Sequence, residues 1–368
     1  MIKVTRAAVC GAATVAVLVS ALALPSASAH PGKRHIPAPP KAPAAKAQTL
    51  GSLGLRAGVR IGTAVDMSAL ADDAPYRAKV AGEFSSVTPE NVMKWDAVEP
   101  TRGTHDWKAA DTLVDFARSH NQLVRGHTLI WHNQLPSWVT GGNWTTAQLR
   151  DILHRHITDE VSHFKGKVWQ WDVVNEAFND DGTMRDTIWL QKLGPGYIAD
   201  AFRWAHQADP KAKLYINDYN IEGVNAKSTA LYQLVSQLRR QGVPIDGVGI
   251  QGHLDVQYDT PGDIVDNMKR LDALGLETAI TEADVRIPLP LDSTKLEAQA
   301  QAYNVLLQGC LLTRHCTDFT VWGFTDKYSW VPSTFAGEGA ANIMDENYRT
   351  KPAYRALSQD LMLAARGR

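Results

Sequence analysis

The chain has 368 residues, of which 44% are hydrophobic, and its formal net charge at pH 7 is −1. This hydrophobic share suffices for a sizeable core, so folding should require neither a metal nor a disulfide framework. A nearly neutral chain argues against nucleic acid or an anionic membrane surface as a partner, because both select a basic face. We therefore expect a nearly uncharged ligand.

Residues 1–29 have the composition of an export signal. Two basic residues precede an apolar run over 7–24, and residues 27–29 (Ala-Ser-Ala) form a small-residue cleavage site. The run approaches the length of a membrane span, which leaves an uncleaved anchor as the alternative. Because the cleavage site favours removal, we predict a secreted protein whose mature chain begins near His30.

Residues 30–47 (HPGKRHIPAPPKAPAAKA) are rich in Pro, Ala and Lys and contain almost no large apolar side chain. Such a segment cannot bury enough apolar surface to fold, so we predict a disordered tail. No comparable stretch follows, and residues 48–368 are therefore predicted to form a single domain.

Eight short apolar or β-branched runs in this domain each end in polar residues. They are RIGTAVD, SSVTPEN, LVRGHTLIW, VWQWDVVNE, KLYINDYN, GVGIQGHL, ETAITEADV and DFTVWGFTD, starting at residues 60, 85, 123, 168, 213, 247, 277 and 318. Most intervals between them have helical periodicity, with capping boxes predicted at Thr145-x-x-Gln148 and Thr294-x-x-Glu297. Eight alternating strands and helices predict an α/β fold of the (β/α)8 TIM barrel type. An open doubly wound sheet is the alternative, which the count of eight disfavours.

The polar ends of the runs predict where the active site lies. In a barrel of this type the site is built at the carboxyl ends of the strands. The residues found there are Glu90, Asn91, His127, Trp131, Asn175, Glu176, Gln251, His253, Glu282, Asp284 and Trp322. We predict that they converge on one cleft.

Two of these residues suit the hydrolysis of a glycosidic bond, which needs one carboxylic acid and one carboxylate. Glu176 and Glu282 end the fourth and seventh runs, which face each other across an eight-stranded barrel. We expect their carboxyl groups to be about 5 to 5.5 Å apart, the separation typical of enzymes that retain configuration. Either glutamate alone is better explained as a solvated strand end or a loop salt bridge, whereas the two together with the aromatic and amide residues favour catalysis.

The segments WDVVNEAFND (171–180) and TEAD (281–284) resemble the acid/base and nucleophile segments of glycoside hydrolase family 10, whose characteristic activity is endo-β-1,4-xylanase. The resemblance continues in order through SVTPENVMKWDAVEP, GHTLIWHNQLPSWV, YINDYN, GIQGHL, VWGFTDKYSW and KPAY. It implies an enzyme that acts on xylan or xylo-oligosaccharides. We expect a monomer that uses no cofactor and no metal.

The resemblance implies that Glu176 is the acid/base, that Glu282 is the nucleophile, and that Asn175 bonds the sugar 2-hydroxyl. His253 and Asp284 are implied to orient Glu282 and keep it ionised. The residues implied to line the glycone side are Glu90, Asn91, Lys94, His127 and Gln251. The implied aromatic walls are Trp131, Trp322 and Trp330, with Tyr219 on the aglycone side. Taken singly, the tryptophans fit a core, the lysine a solvated surface and the histidines a satisfied buried network.

The chain also departs from the family pattern. Ala283 stands where the family usually has a larger aliphatic residue, and Val331 stands where many members have arginine. Together with the Gly/Ala-rich segment 335–341, these departures concern the glycone-side rim rather than the chemistry. We expect them to affect side activity and chain-length preference.

Cysteine and histidine positions predict one disulfide and no metal site. Cys10 lies in the predicted signal, which leaves Cys310 and Cys316 as a predicted disulfide in an exported chain, with two free buried thiols as the alternative. The i, i+4, i+7 residues His156, Glu160 and His163 are arranged like metal ligands, but we interpret them as the solvated face of an outer helix.

Two competing functions remain at this stage. One is a barrel glycosidase acting on β-1,4-glucan or a glycosylated small molecule. This function is disfavoured because Glu90, Lys94 and a neighbouring tryptophan should crowd the hydroxymethyl group of glucose. The other is a non-catalytic carbohydrate-binding protein on the same scaffold, since fold alone does not establish activity. The presence of both carboxylates disfavours this second function.

Overall fold

The computed structural model describes residues 48–367. The predicted export signal and the predicted tail lie outside the described residues. Among the helices of the described range, none combines the length and the apolar composition needed to cross a bilayer.

Eight parallel strands close into a barrel. The ten strands of the structure are β1 (Arg60–Val65), β2 (Ser86–Pro89), β3 (Leu123–Gly126), β4 (Gln170–Asn175), β5 (Lys213–Asp218), β6 (Gly247–Ile250), β7 (His253–Asp255), β8 (Glu277–Pro288), β9 (Cys316–Val321) and β10 (Glu338–Gly339). All except β7 and β10 belong to the ring, in which β9 pairs in parallel with both β8 and β1. The predicted (β/α)8 barrel is confirmed, and each predicted run begins within two residues of a strand.

The strands are buried on both faces, as expected when helices surround a parallel sheet. Every residue of β2, β4 and β6 is buried. On the outer face of the strands, space limits the choice of residue: a Cβ atom on Gly126 would overlap the ring of Trp171 on the next strand, which packs against Phe164 at the end of α7. The glycine at the end of β3 therefore makes room for the indole.

The helices form the outer layer and the loops above it. They are α1 (Leu50–Ala57), α2 (Met67–Asp72), α3 (Ala74–Glu83), α4 (Trp95–Val98), α5 (Lys108–Ser119), α6 (Ser137–Thr140), α7 (Thr146–His163), α8 (Ile188–Leu193), α9 (Tyr197–Ala208), α10 (Ala226–Arg240), α11 (Ile264–Asp272), α12 (Ser293–Leu311), α13 (Val331–Thr334) and α14 (Pro352–Arg366). A short 3-10 helix spans Asp326–Tyr328.

One predicted helix start is confirmed and the other is wrong. Thr145 caps α7 through the predicted reciprocal bonds with Gln148. At α12 the cap is Asp292, whose carboxylate accepts from the backbone N–H of Lys295. Because the aspartate captures that free N–H, the helix starts earlier than the pattern at Thr294 predicts.

The predicted disulfide is present. Cys310 near the end of α12 is bonded to Cys316 at the start of β9, with their Cα atoms 5.2 Å apart. The bridge therefore ties an outer helix to the amino end of the strand that closes the ring.

The interpretation of His156 and Glu160 as a solvated face is wrong. Both side chains are buried against the barrel, where the His156 ring stacks 3.7 Å from the ring of Trp95. His163 is partly exposed and bonds Asp111 at 2.9 Å. The buried face of α7 is therefore wider than its apolar residues alone indicate.

Strand β8 is twelve residues long and extends above the ring. On this extension His253 of β7 pairs with Asp284 in parallel, and Gly339 of β10 pairs with Ile287 in antiparallel orientation. The extension forms one wall above the carboxyl ends of the barrel strands.

Candidate active site

A cavity of about 530 Å³ opens at the carboxyl ends of the barrel strands. Its lining residues are Glu90, Asn91, Lys94, His127, Trp131, Gln134, Asn175, Glu176, Tyr219, Asn220, Gln251, His253, Glu282, Arg286, Trp322, Trp330 and Phe335. Every predicted catalytic and substrate-binding residue is among them except Asp284, which lies directly behind His253. The sequence-based prediction missed Gln134, Asn220, Arg286 and Phe335.

A shared network of amides joins the two glutamates. Asn217 Nδ2 donates to Glu282 Oε1 at 2.7 Å and to Asn175 Oδ1 at 2.8 Å. Gln251 Nε2 donates to the same Asn175 oxygen at 3.2 Å and to Glu176 Oε1 at 3.3 Å. Side chains from four strands or strand ends therefore fix both carboxyl groups in one arrangement.

The surroundings of Glu282 favour its charged form. Burial opposes ionisation of this carboxyl, but His127, His253 and Arg125 outweigh burial and lower its pKa to about 2. His253 Nε2 lies 3.2 Å from Glu282 Oε2. Glu282 is therefore an ionised carboxylate at any pH near neutrality.

His253 owes its charge to Asp284. Burial would lower the pKa of the imidazole, but Asp284 and Glu282 raise it to about 10. Asp284 Oδ1 lies 2.9 Å from His253 Nδ1, and Asp284 Oδ2 accepts a bond of 2.7 Å from the Trp330 indole. Asp284 thus contacts both a charged neighbour of Glu282 and a wall of the cavity.

A buried ion pair lies below Glu282. Arg125 and His127 both bond the same oxygen of Asp172, and His127 Nδ1 lies 3.9 Å from Glu282. The donor atoms of His127, Asp172 and Glu282 lie within 4.8 Å of one another, close enough for a metal ion. A cation there would face the Arg125 guanidinium, so this donor set fits an internal ion pair better than a metal.

Glu176 has a different environment. Its side chain is 13% exposed, and Trp131 Nε1 donates to its Oε2 at 2.8 Å. Its backbone lies in the left-handed region, with φ of 58°. A non-glycine residue in that region costs free energy and persists only where its surroundings hold it.

One end of the cavity combines a cation, a carboxyl and an indole. Lys94 Nζ donates to Asn91 at 3.1 Å and lies 4.9 Å from the centroid of the Trp131 ring. Burial lowers the pKa of Lys94. Burial and the nearby Asp66 raise the pKa of Glu90 to about 7. Glu90 therefore changes charge close to neutral pH.

Aromatic rings wall the rest of the cavity. Trp322 meets His127 edge-on with ring centroids 5.2 Å apart, and Trp330 meets Phe335 at 5.6 Å. Tyr219 lies beside Asn220, and its hydroxyl accepts a bond of 2.8 Å from Arg185. Rings of this kind suit the apolar faces of sugars.

Several polar residues that build the site were missed in the sequence. Asp172 and Asn217 lie within segments already singled out by the family resemblance, so a signal was present. In a strand buried on both faces, however, the sequence does not show which polar residue points inward. Arg185 lies in a loop beyond β4, where the strand-end rule gives no signal.

Comparisons with known proteins agree on one family. The family model for Glycosyl hydrolase family 10 matches residues 50–360. An endo-1,4-beta-xylanase of Agaricus bisporus is 48% identical, over 84% of this chain and 93% of the relative. Xylanase 10B of Thermotoga maritima is 44% identical, with a TM-score of 0.85 over 87% of this chain and 100% of that chain.

A second solved structure, xylanase 10B of Thermotoga petrophila RKU-1 in complex with xylobiose, is 44% identical. Its TM-score is 0.84 over 86% of this chain and 98% of that chain. Together the relatives support an enzyme of the xylanase class of glycoside hydrolases, and they confirm the family resemblance noted in the sequence. The chain belongs to glycosyl hydrolase family 10.

Proposed function

We propose that the protein is a secreted endo-β-1,4-xylanase that cleaves internal linkages of xylan with retention of configuration, through a covalent glycosyl-enzyme intermediate. One observation carries the proposal. Glu282, whose pKa is lowered to about 2, shares a single amide network with Glu176 at the floor of an aromatic-walled cavity. A charged and a protonatable carboxyl joined in this way suit double displacement.

In the first step Glu176 donates its proton to the glycosidic oxygen while Glu282 attacks the anomeric carbon. The bond between that carbon and the oxygen breaks, and its electron pair leaves with the aglycone. Forming the glycosyl ester neutralises Glu282, which lets Glu176 act next as a base. Glu176 then removes a proton from water, the water oxygen attacks the anomeric carbon, and Glu282 departs as a carboxylate.

Hydrogen bonds to the sugar are expected to tighten in the transition state. Asn175 Oδ1 accepts bonds from Asn217 and Gln251, which leaves its Nδ2 atom available near Glu176, at 3.5 Å from that carboxyl. We propose that this amide group donates to the 2-hydroxyl of the sugar beside the scissile bond. An interaction that strengthens along the reaction raises the rate rather than the affinity alone.

We propose that xylan or a xylo-oligosaccharide is the substrate and that the protein acts as a monomer without cofactor or metal. The xylobiose bound to the Thermotoga petrophila relative supports a xylose-based ligand. Glu90, Lys94 and Trp131 line the cavity, and we propose that they form its glycone-side wall and crowd the hydroxymethyl group that glucose carries and xylose lacks. Export rests on residues 1–29, and residues 48–368 form the proposed catalytic domain.

The direct test is the release of reducing sugar from xylan beside carboxymethylcellulose, using the wild type and Glu282→Ala. We expect strong preference for xylan and a loss on the order of 10⁴-fold or more in the variant, because the nucleophile is absent. Glu346→Ala removes an exposed glutamate and serves as the matched control. Undiminished xylan hydrolysis by Glu282→Ala would refute the assigned nucleophile.

The covalent intermediate is tested separately by mass spectrometry. A 2-fluoro aryl xylobioside with a good leaving group should add one glycosyl mass to the wild type, because the fluorine slows hydrolysis of the ester. The label should map to the peptide containing Glu282 and be absent from Glu282→Ala. A labelled Glu282→Ala protein would contradict the proposed nucleophile, and an unlabelled but inactivated wild type would contradict the covalent step.

A further inference from the structure

Arg185 lies close to Glu176 but forms no ion pair. The guanidinium is only partly exposed, and among residues 48–367 its hydrogen bonds go to uncharged oxygen atoms rather than to a carboxylate. Nε donates to the main-chain oxygen of Glu176 at 3.0 Å. The NH2 group donates to the main-chain oxygen of Phe178 at 3.2 Å and to the Tyr219 hydroxyl at 2.8 Å. A partly buried guanidinium that bonds two carbonyls and one hydroxyl, rather than a carboxylate, suggests that it has a positioning role.

A tight turn brings this arginine back to the strand end. The backbone N–H of Asn179 donates to Thr183 at 2.8 Å, and Gly182, with φ of 85°, supplies the left-handed residue of the turn. The chain then reverses, and the N–H of Arg185 donates to Ala177 at 2.8 Å. The loop therefore holds the guanidinium against the residue that began it.

Glu176 is a residue that needs such support. Its left-handed backbone is held on one side by its N–H, which donates to the Asn217 carbonyl at 2.8 Å. Its carbonyl is held on the other side by Arg185. Without the guanidinium, that carbonyl loses its partner and the strained φ can relax, which would swing the carboxyl away from its hydrogen-bonded position.

The same guanidinium holds the tyrosine on the aglycone side. Tyr219 is fixed at its hydroxyl by Arg185 and at its ring by Lys227, whose Nζ lies 3.4 Å from the ring centroid. Lys227 is in turn paired with Asp218 at 3.0 Å. A sugar that contacts Tyr219 would therefore affect Arg185, which also bonds the main chain of Glu176.

We propose that Arg185 is a positioning residue: it fixes the main chain of Glu176 in its strained conformation and, through the Tyr219 hydroxyl, couples the acid's orientation to a sugar bound on the aglycone side. This inference rests on the proposed role of Glu176 as the acid/base. The alignment of the Glu176 carboxyl then depends on a loop residue as well as on the strands that carry its hydrogen-bond partners.

The test compares two aryl β-xylobiosides, one with phenol and one with 2,4-dinitrophenol as leaving group. Phenol needs protonation to leave, whereas dinitrophenolate does not, so only the first substrate depends on the acid. We expect Arg185→Met to lower kcat/KM for the phenyl substrate about 10- to 100-fold, the cost of a misplaced rather than deleted acid. The dinitrophenyl substrate should lose less than about threefold.

Three further variants make the result specific. Arg185→Lys, which keeps one charged donor, should recover part of the activity on the phenyl substrate. Tyr219→Phe removes only the shared hydroxyl. It should lower the activity on xylo-oligosaccharides that reach the aglycone side more than the activity on the phenyl substrate. Arg203→Met removes a largely exposed arginine paired with Asp200 and should match the wild type on both substrates.

The outcomes separate this inference from the proposed function. Equal losses on both aryl substrates, or no loss on either, would overturn the positioning role of Arg185. Thermal melting of each variant detects a protein that fails to fold, in which case Arg185→Lys supplies the comparison. Glu176→Ala must itself show the strong dependence on leaving group; if it does not, the assignment of the acid/base is wrong whatever Arg185 does.

Discussion

Asp284 shows how one residue controls another that it does not touch. Its carboxylate keeps His253 protonated, and protonated His253 lies 3.2 Å from Glu282. The low pKa of Glu282 therefore depends on a charge two contacts away. The pairing of His253 with Asp284, which lie opposite each other on β7 and β8, was implied by the family resemblance, whereas the Arg125 and Asp172 pair beneath Glu282 was not.

Replacing Asp284 with Asn should move the acidic limb of the pH–rate profile. Removing the negative charge lowers the pKa of His253, which weakens the positive charge beside Glu282, so the pKa of Glu282 rises from about 2. Because Glu282 must be ionised to attack, we expect the acidic limb of kcat/KM on an aryl xylobioside to shift upward by about one pH unit or more.

The matched control for Asp284→Asn is Trp330→Phe. This change removes the other hydrogen bond to Asp284 without altering any charge. Its acidic limb should therefore stay where the wild type has it, even if KM rises. An acidic limb that Asp284→Asn leaves in place would show that Glu282 does not depend on the protonation of His253.

Helix α7 carries a buried acid without a hydrogen-bond partner among the described residues. Glu160 is fully buried, and neither of its carboxyl oxygens has a hydrogen-bond partner among the described residues. His156 Nε2 lies 3.5 Å away but is bonded to the Leu129 carbonyl at 2.9 Å. Burial raises the pKa of Glu160 well above its usual value. The side chain is thus neutral in the fold at pH values where the unfolded chain is charged.

Glu160→Leu should stabilise the protein at pH 7. A carboxyl with a raised pKa in the folded state binds more protons than in the unfolded state, so its cost grows as pH rises above about 4.5. We expect a gain of about 1 to 3 kcal/mol in the free energy of unfolding at pH 7, shrinking towards pH 4. Urea unfolding at both pH values measures this. Equal or lower stability of the variant at pH 7 would contradict the explanation.

The disulfide should contribute modestly to stability and not to activity. Its six-residue sequence separation closes a short loop, so the double change Cys310→Ala and Cys316→Ala should cost only about 2 kcal/mol. Activity on xylan should be unchanged, because the bridge ends at the start of β9, whereas the cavity lies at the carboxyl ends of the strands. Urea unfolding and a reducing-sugar assay would check both; a large loss of activity would show unexpected coupling.

Elements were predictable where local signals are strong. The eight runs and the capping box of α7 follow from periodicity and from side chains that bond their own backbone. The start of α12 was not predictable, because two nearby residues compete as its cap. The burial of His156 and Glu160 was not predictable either, because it depends on tertiary packing. The extension of β8 was also missed, because its pairing with β7 and β10 involves only short stretches.

The first and last helices of the described barrel pack against each other. α1 packs against α14, and its residues Leu50 and Leu53 are buried. Thr49 caps α1 by a reciprocal bond with Ser52. All residues that line the cavity lie after α1, so the helix supports the barrel without entering the site.

Two truncated chains test this arrangement. A chain beginning at Ala47 retains the cap of α1 and should keep the activity and the melting temperature of a chain beginning at His30. A chain beginning at Gly58 loses α1 and should lose about 4 kcal/mol of stability, the value of two buried leucines. Thermal melting and a xylan assay compare them. Equal stability of the two chains would show that α1 is dispensable.

Strand β8 supplies Glu282, Asp284 and Arg286 at alternate positions. Because neighbouring side chains of a strand point to opposite faces, these three share one side of β8. A single residue inserted just before Glu282 would turn the side chains of Glu282, Asp284 and Arg286 together into the helical layer. The spacing along this one strand therefore tolerates no insertion.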